Sequence, residues 1–155
     1  MIPNEIVTVD RLPPADITLP VQGRIVRPER ALIDQLRDVS SAAACATLYS
    51  MGIRSTFING PLSRTPGRRV VGPAVTLQFM PQREDIPSGM GAEHAEKSSA
   101  LWQVFETIEP GDVLVVQAFG DLSTGCVGEM LTTYFKGRGG AGMVVDGCVR
   151  DWARI

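Results

Sequence analysis

The sequence predicts an α/β fold in which a small sheet is layered against helices. The runs "GDVLVVQ" (111–117) and "AGMVVDG" (141–147) are short and rich in valine, and Gly-Asp or Asp-Gly turn signals bound them, as for buried strands. Between them, "GEMLTTYFKG" (128–137) carries apolar residues at helical spacing. Strand, helix, strand in that order is a βαβ unit, with a crossover expected to be right-handed. At 155 residues the chain has the size of one domain and can bury a sizeable core.

The elements follow in order. Residues 1–27 read as an extended N-terminal arm, proline-rich over 1–20, with "VQGRIVR" (21–27) either a short strand or the end of that arm. The α/β domain then spans 28–155. "PERALIDQLRDV" opens a helix with Pro28 near its first position and sets Ala31, Leu32, Ile33 and Leu36 on one face. In "SSAAACATLYSMG", Ser40 or Ser41 caps a small-residue helix that Gly52 stops. "RRVVGPAVTLQFM" (68–80) has strand composition, divided by Gly72-Pro73 into two pieces. "PQREDIPSGMGAEHAE" (81–96) is a polar loop running into a helix over about 94–106. After the strand at 113–116, "DLSTGCVGEMLTTYFKGRGG" reads as a helix ending at Gly137 or Gly139. Val127, Met130, Leu131 and Tyr134 form its core stripe, and Lys136 and Arg138 suit the negative end of its dipole.

Composition excludes several function classes. Lys and Arg number 15 and Asp and Glu 17, a net charge of −2, so no global basic field recruits nucleic acid or an acidic membrane. Cys45, Cys126 and Cys148 are scattered, and His94 is the one histidine. A disulfide framework and a Cys/His zinc site therefore both lack support. Residues 1–20 lack a basic stretch followed by an apolar one, and no run approaches the ~18 apolar residues of a membrane span. The expected location is cytoplasmic. Lys97 and Lys136 both lie in polar settings that would not depress an amine pKa, which disfavours Schiff-base chemistry.

Functional candidates gather where the first strand of the βαβ unit meets its helix. In "FGDLSTGCVGEM", Gly120, Gly125 and Gly128 let backbone approach a ligand. With the helix starting near Gly128, the Met130 and Leu131 amides fall in its first turn, without intrahelical partners and open to a carboxylate. No nucleotide-binding GxGxxG or GxxxxGK[ST] pattern is present. Glu129 falls off the core stripe. The second strand delivers Arg150, whose planar fork suits a 2-oxo acid, and Asp151, a ligand for a hard divalent cation. Each residue alone is more often an ordinary surface group.

Their spacing is more specific. Gly128-Glu129, a gap of 20 residues, then Arg150-Asp151 resembles the RraA-like family, as do "VVGPAVTLQFMPQRED" (70–85) and "GDVLVV" (111–116). That family contains the regulator of ribonuclease activity A and class II pyruvate aldolases acting on 4-hydroxy-4-methyl-2-oxoglutarate and 4-carboxy-4-hydroxy-2-oxoadipate. The resemblance covers Pro28 to the end and implies a swivelling β/β/α domain. It also implies divalent-metal-dependent cleavage of a 4-hydroxy-2-oxo acid to pyruvate, with oxaloacetate decarboxylation as a side reaction.

By the same resemblance Asp151 would ligate Mg²⁺ or Mn²⁺, Arg150 would bind the pyruvyl carbonyl and carboxylate, and Glu129 would hold metal-bound waters. The Met130 and Leu131 amides, next to Gly128, would receive the substrate carboxylate. Two features depart from the pattern. Arg154 stands where catalytic members often carry an acid, three residues after the aspartate, and the family fold continues beyond the position of Ile155. A C-terminally shortened, weakly active chain is therefore the expectation, and a homotrimer or homohexamer at full length. The alternative is a non-catalytic regulator that binds and inhibits an RNA-processing enzyme.

Overall fold

The computed structural model describes residues 25–81 and 99–155. Most of the arm (1–24) and most of the loop at 81–96, with His94 and Lys97, lie outside those residues.

The main sheet has three parallel strands, β1 (Ala74–Gln78), β2 (Val113–Gln117) and β4 (Gly142–Asp146), in the order β1-β2-β4. The register pairs Val75 with Leu114 and Leu77 with Val116, and carries Leu114 and Val116 on to Met143 and Val145. Side chains alternate along a strand, so these six share one face. That face packs under α3 (Ala100–Thr107) and α4 (Glu129–Gly137), which contribute Val104, Phe105, Leu131 and Phe135 to the core. Phe105 and Phe135 meet edge to face at 6.5 Å, and Trp102 and Tyr134 at 5.8 Å, fixing the two helices side by side. The fold is α/β and layered, with β2, α4 and β4 as its βαβ unit.

Local rules explain the boundaries. Ser40 caps α2 (Ser41–Ser50) by accepting from the Ala43 amide at 3.1 Å, and Gly52, at φ +90°, ends it. Ser99 caps α3 in the same way. Asp112, fully buried at the entry to β2, accepts from Arg27 Nε and Nη2 and from the Glu109 amide. The hydrogen bonds to Asp112 hold the Arg27 guanidinium above its ordinary value. This pair pins residue 27 to the end of the sheet away from the Arg150-Asp151 pair.

Three sequence expectations are corrected. The segment before α4 is not helical: Gly125–Val127 forms β3, paired in parallel with β5 (Cys148–Val149) in a second, two-stranded sheet. The core stripe of α4 is Leu131 and Phe135 with Tyr134 half-buried, whereas Met130 is 65% exposed and Val127 is buried from β3. The spacing allowed either face, and Phe135 wins because α3 offers Phe105 opposite it. Of the two strand pieces expected over 68–80 only β1 forms. Helix α1 (Arg30–Leu36) forms within its expected stretch, and neither it nor α2 buries a residue.

Candidate active site

The two-stranded sheet builds the site. Pairing of Gly125 with Cys148 and Val127 with Val149, extended by the Arg150 amide donating to the Val127 carbonyl at 2.8 Å, runs the end of β5 alongside the start of α4. Arg150 and Asp151 thereby arrive beside Gly128 and Glu129. Asp151 sits in the left-handed region (φ 56°, ψ 33°), which aspartate tolerates better than most residues. There its Oδ2 accepts from the Glu129 amide at 3.3 Å. A backbone held in that region at a cluster of polar groups is a recurrent mark of a functional site.

Two missing side chains shape the cradle. A Cβ on Gly125 would lie 2.0 Å from Arg150 Cγ, and one on Gly128 would lie 2.8 Å from Asp151 Oδ2 and 3.3 Å from Arg150 Nε. The stem of Arg150 thus lies in the Gly125 slot, and both charged groups converge over Gly128. The sequence reading gave Gly125 the role of letting backbone approach a ligand, not of making room for the Arg150 stem. Its spacing of three from Gly128 in "GCVG" was the available signal.

Gly128 is the N-cap of α4, so the Met130 and Leu131 amides lie in its first turn and have no hydrogen-bond partner among the described residues. Leu131 itself is buried, leaving only its amide to offer a ligand, while the Met130 side chain stands at the surface. Glu129 points off the core as expected, and its Oε2 is 3.2 Å from Arg154 Nη1. Arg154 belongs to a single 3-10 turn, Trp152–Arg154, whose Trp152 ring lies under the Arg64 guanidinium at 5.5 Å. Gly128, Glu129, Met130, Leu131, Arg150 and Asp151, all singled out from the sequence, therefore meet at one place, whereas Gly120 lies beside Asp146.

Neighbouring groups are occupied otherwise. The hydroxyl and then the amide of Ser123 hold the Asp121 carboxyl below its ordinary range and keep it in its own loop. Burial pushes the Cys126 thiol up, so it stays protonated at neutral pH. The described residues contain no cluster of three or more His, Cys, Asp or Glu side chains able to hold a metal. The site's donors are the Asp151 and Glu129 carboxylates, hard oxygen ligands open to water. That set fits Mg²⁺ or Mn²⁺, which keep several waters and take one or two carboxylates. It does not fit zinc's closed nitrogen and sulfur shell.

A layered α/β domain with Arg-Asp delivered to a Gly-capped helix start defines a class, and the comparisons agree with it. Residues 30–155 match the RraA-like family model, described as Aldolase/RraA, and the chain belongs to that family. Streptomyces coelicolor RraAS2, described as an unusual member of the RNase ES inhibitor RraA protein family, has a similar structure. It is 51% identical with a TM-score of 0.74 over 84% of this chain and 60% of its own. A Halalkalibacterium halodurans protein provisionally named 4-hydroxy-4-methyl-2-oxoglutarate aldolase is 36% identical over 83 residues, 54% of this chain and 33% of that one. A Pseudomonas syringae pv. tomato protein shares the fold, with a TM-score of 0.60 at 24% identity over 86% of this chain and 55% of that one. The chain thus spans a third of the curated relative's length and about three-fifths of RraAS2. No helix among the described residues is long and apolar enough to cross a membrane.

Proposed function

We propose that this chain carries the site of a divalent-metal-dependent class II aldolase that cleaves a 4-hydroxy-2-oxo acid to pyruvate and a second oxo product. The observation that carries the reading is the convergence of Arg150 and Asp151 over Gly128, beside two unpartnered amides and the Glu129 carboxylate. Asp151 would hold Mg²⁺ or Mn²⁺ directly and Glu129 through water, and the bound cation would stabilise negative charge on the 2-oxo oxygen.

The chain's own groups do the rest. The Met130 and Leu131 amides receive the substrate carboxylate at the positive end of the α4 dipole. Arg150 grips the 2-oxo acid with its planar fork, fixing the plane in which the C3–C4 bond must break. Water ordered by Glu129 accepts the proton of the 4-hydroxyl. The C3–C4 bonding pair then moves into the enolate of pyruvate, where Arg150 offsets the developing oxyanion, and protonation at C3 releases pyruvate. Loss of CO₂ from oxaloacetate passes through the same enolate and is the expected side reaction.

The test is Mg²⁺-dependent pyruvate release from 4-hydroxy-4-methyl-2-oxoglutarate, coupled to lactate dehydrogenase. Turnover that Asp151→Asn abolishes supports the enzyme.

A second reading, a non-catalytic regulator of an RNA-processing ribonuclease, draws on the Arg154–Glu129 ion pair and on the 51% identity to RraAS2. No pyruvate from a folded chain, together with inhibition of an RNase E-type enzyme, would favour it. An oligomer, a trimer or hexamer, suits the apolar residues that α1 and α2 leave exposed, among them Leu32, Leu36 and Tyr49. Light scattering measures that state.

A further inference from the structure

Arg154 occupies the carboxylate that the proposed function needs free. Its Nη1 is 3.2 Å from Glu129 Oε2, with side-chain exposures of 73% and 43%. The Glu129 amide is held in turn by Asp151 Oδ2 at 3.3 Å, and Gly128, one residue back, underlies both Asp151 Oδ2 and Arg150 Nε. One short stretch, Gly128-Glu129, therefore meets the Asp151 carboxylate and both arginines.

A cation on Glu129 competes with a metal and its waters for that carboxylate. An ion pair this exposed is weak, so a better anion displaces it readily. The arginine is on a 3-10 turn three residues beyond Asp151, and its guanidinium already lies against Glu129, the residue next to Gly128.

We propose that Arg154 is a substrate-operated switch, pairing with Glu129 in the empty site and moving to a second, distal carboxylate of the ligand when one binds. Glu129 is released for the metal's water shell, so a dicarboxylic 2-oxo acid and the divalent cation bind cooperatively through this arginine. A monocarboxylic 2-oxo acid such as pyruvate offers Arg154 no second anion and leaves the pair closed. By linkage the effect is reciprocal: metal tightens the dicarboxylate by the factor with which the dicarboxylate tightens metal. This rests on the proposed metal site and adds its regulation. Arg154 acts on the metal through Glu129 and on the ligand's distal carboxylate directly.

The test is calorimetric titration of Mn²⁺ into the 155-residue chain and into Arg154→Met, Arg154→Lys and Asp151→Asn. Each is titrated alone, with saturating pyruvate and with saturating 2-oxoglutarate. Without ligand, Arg154→Met should bind Mn²⁺ about 10-fold more tightly than the parent, the lower end of the effect of groups that act on a metal's ligands. That gap should persist with pyruvate and close to within about 2-fold with 2-oxoglutarate. Arg154→Lys, which keeps the charge, should behave like the parent. A gap that is absent, or that survives unchanged with 2-oxoglutarate, overturns the switch. Mn²⁺ affinity that Asp151→Asn leaves unaltered overturns the metal site itself, and the switch with it. Equal thermal melting of parent and Arg154→Met confirms that the titrations compare intact folds.

Discussion

Replacing Gly128 with alanine should separate the function of this site from the stability of the fold. The added Cβ would lie 2.8 Å from Asp151 Oδ2, closer than real contacts allow, and 3.3 Å from Arg150 Nε. Both atoms belong to side chains exposed to solvent, so they can retreat at little energetic cost. Gly128 has φ −136° and ψ −171°, extended backbone that alanine adopts without strain. Restricting the unfolded chain stabilises by about 0.4–1 kcal/mol, and the poorer N-cap gives back an amount of the same order. The net change should stay within ~1 kcal/mol, a melting shift of no more than about 2–4 °C for a chain of this size. Asp151, the proposed metal ligand, and Arg150, proposed to orient substrate, are meanwhile both displaced. Metal affinity should fall ~10-fold or more, and turnover by up to ~100-fold, as for misplacements of about an ångström. Circular dichroism melting, Mn²⁺ calorimetry and pyruvate release read the three quantities on one preparation. Unchanged metal affinity and turnover would refute the placement of the site over Gly128. A collapse of the melting temperature would show the glycine to be structural instead.

Other substitutions probe the remaining contacts. Asp151→Asn retains a residue that tolerates the left-handed backbone at φ 56° while removing the charge, so metal binding should vanish with the fold intact; equal calorimetric affinity would contradict this. Arg150→Lys keeps the charge without the planar fork, and kcat/KM should drop ~100-fold or more; kinetics matching the parent would exclude a bidentate grip. Arg27→Met strands the fully buried Asp112 and should destabilise by about 3–4 kcal/mol at neutral pH in urea titrations. A loss under ~1 kcal/mol, the range of exposed pairs, would show Asp112 to be solvated instead.

How much of this was legible in the sequence depended on the kind of signal. β2 and β4 announced themselves as apolar runs between turn residues, and Ser40 and Gly52 bounded α2 as their chemistry requires. The meeting of Glu129 with Arg150-Asp151 followed from strand-helix-strand order and a recognisable spacing. What stayed hidden was short or tertiary. β3 has three residues and β5 two, too few to show any periodicity, and β3 was absorbed into the helix after it. The choice of Phe135 over Met130 for the core depends on Phe105, which the sequence does not place opposite it. Arg154 was visible as a departure from a pattern, but its contact with Glu129 needed the 3-10 turn.

The short second sheet also explains why two consecutive residues can serve one site. Successive side chains of a regular strand point to opposite faces, so Arg150 and Asp151 in extended backbone would diverge. Val149, paired with the buried Val127, faces the core, and Arg150 accordingly faces out along Gly125. One more extended residue would send Asp151 back towards the core, where an unpaired carboxylate is costly. The left-handed turn at Asp151 breaks the alternation and brings its Oδ2 to the Glu129 amide on the same side as Arg150. It also starts the 3-10 turn that carries Arg154 to Glu129. One backbone departure thus sets the positions of Asp151, the proposed metal ligand, and of Arg150 and Arg154 together. A β-branched residue at 151, which resists that backbone region, would lose the carboxylate and scatter the other two groups as well.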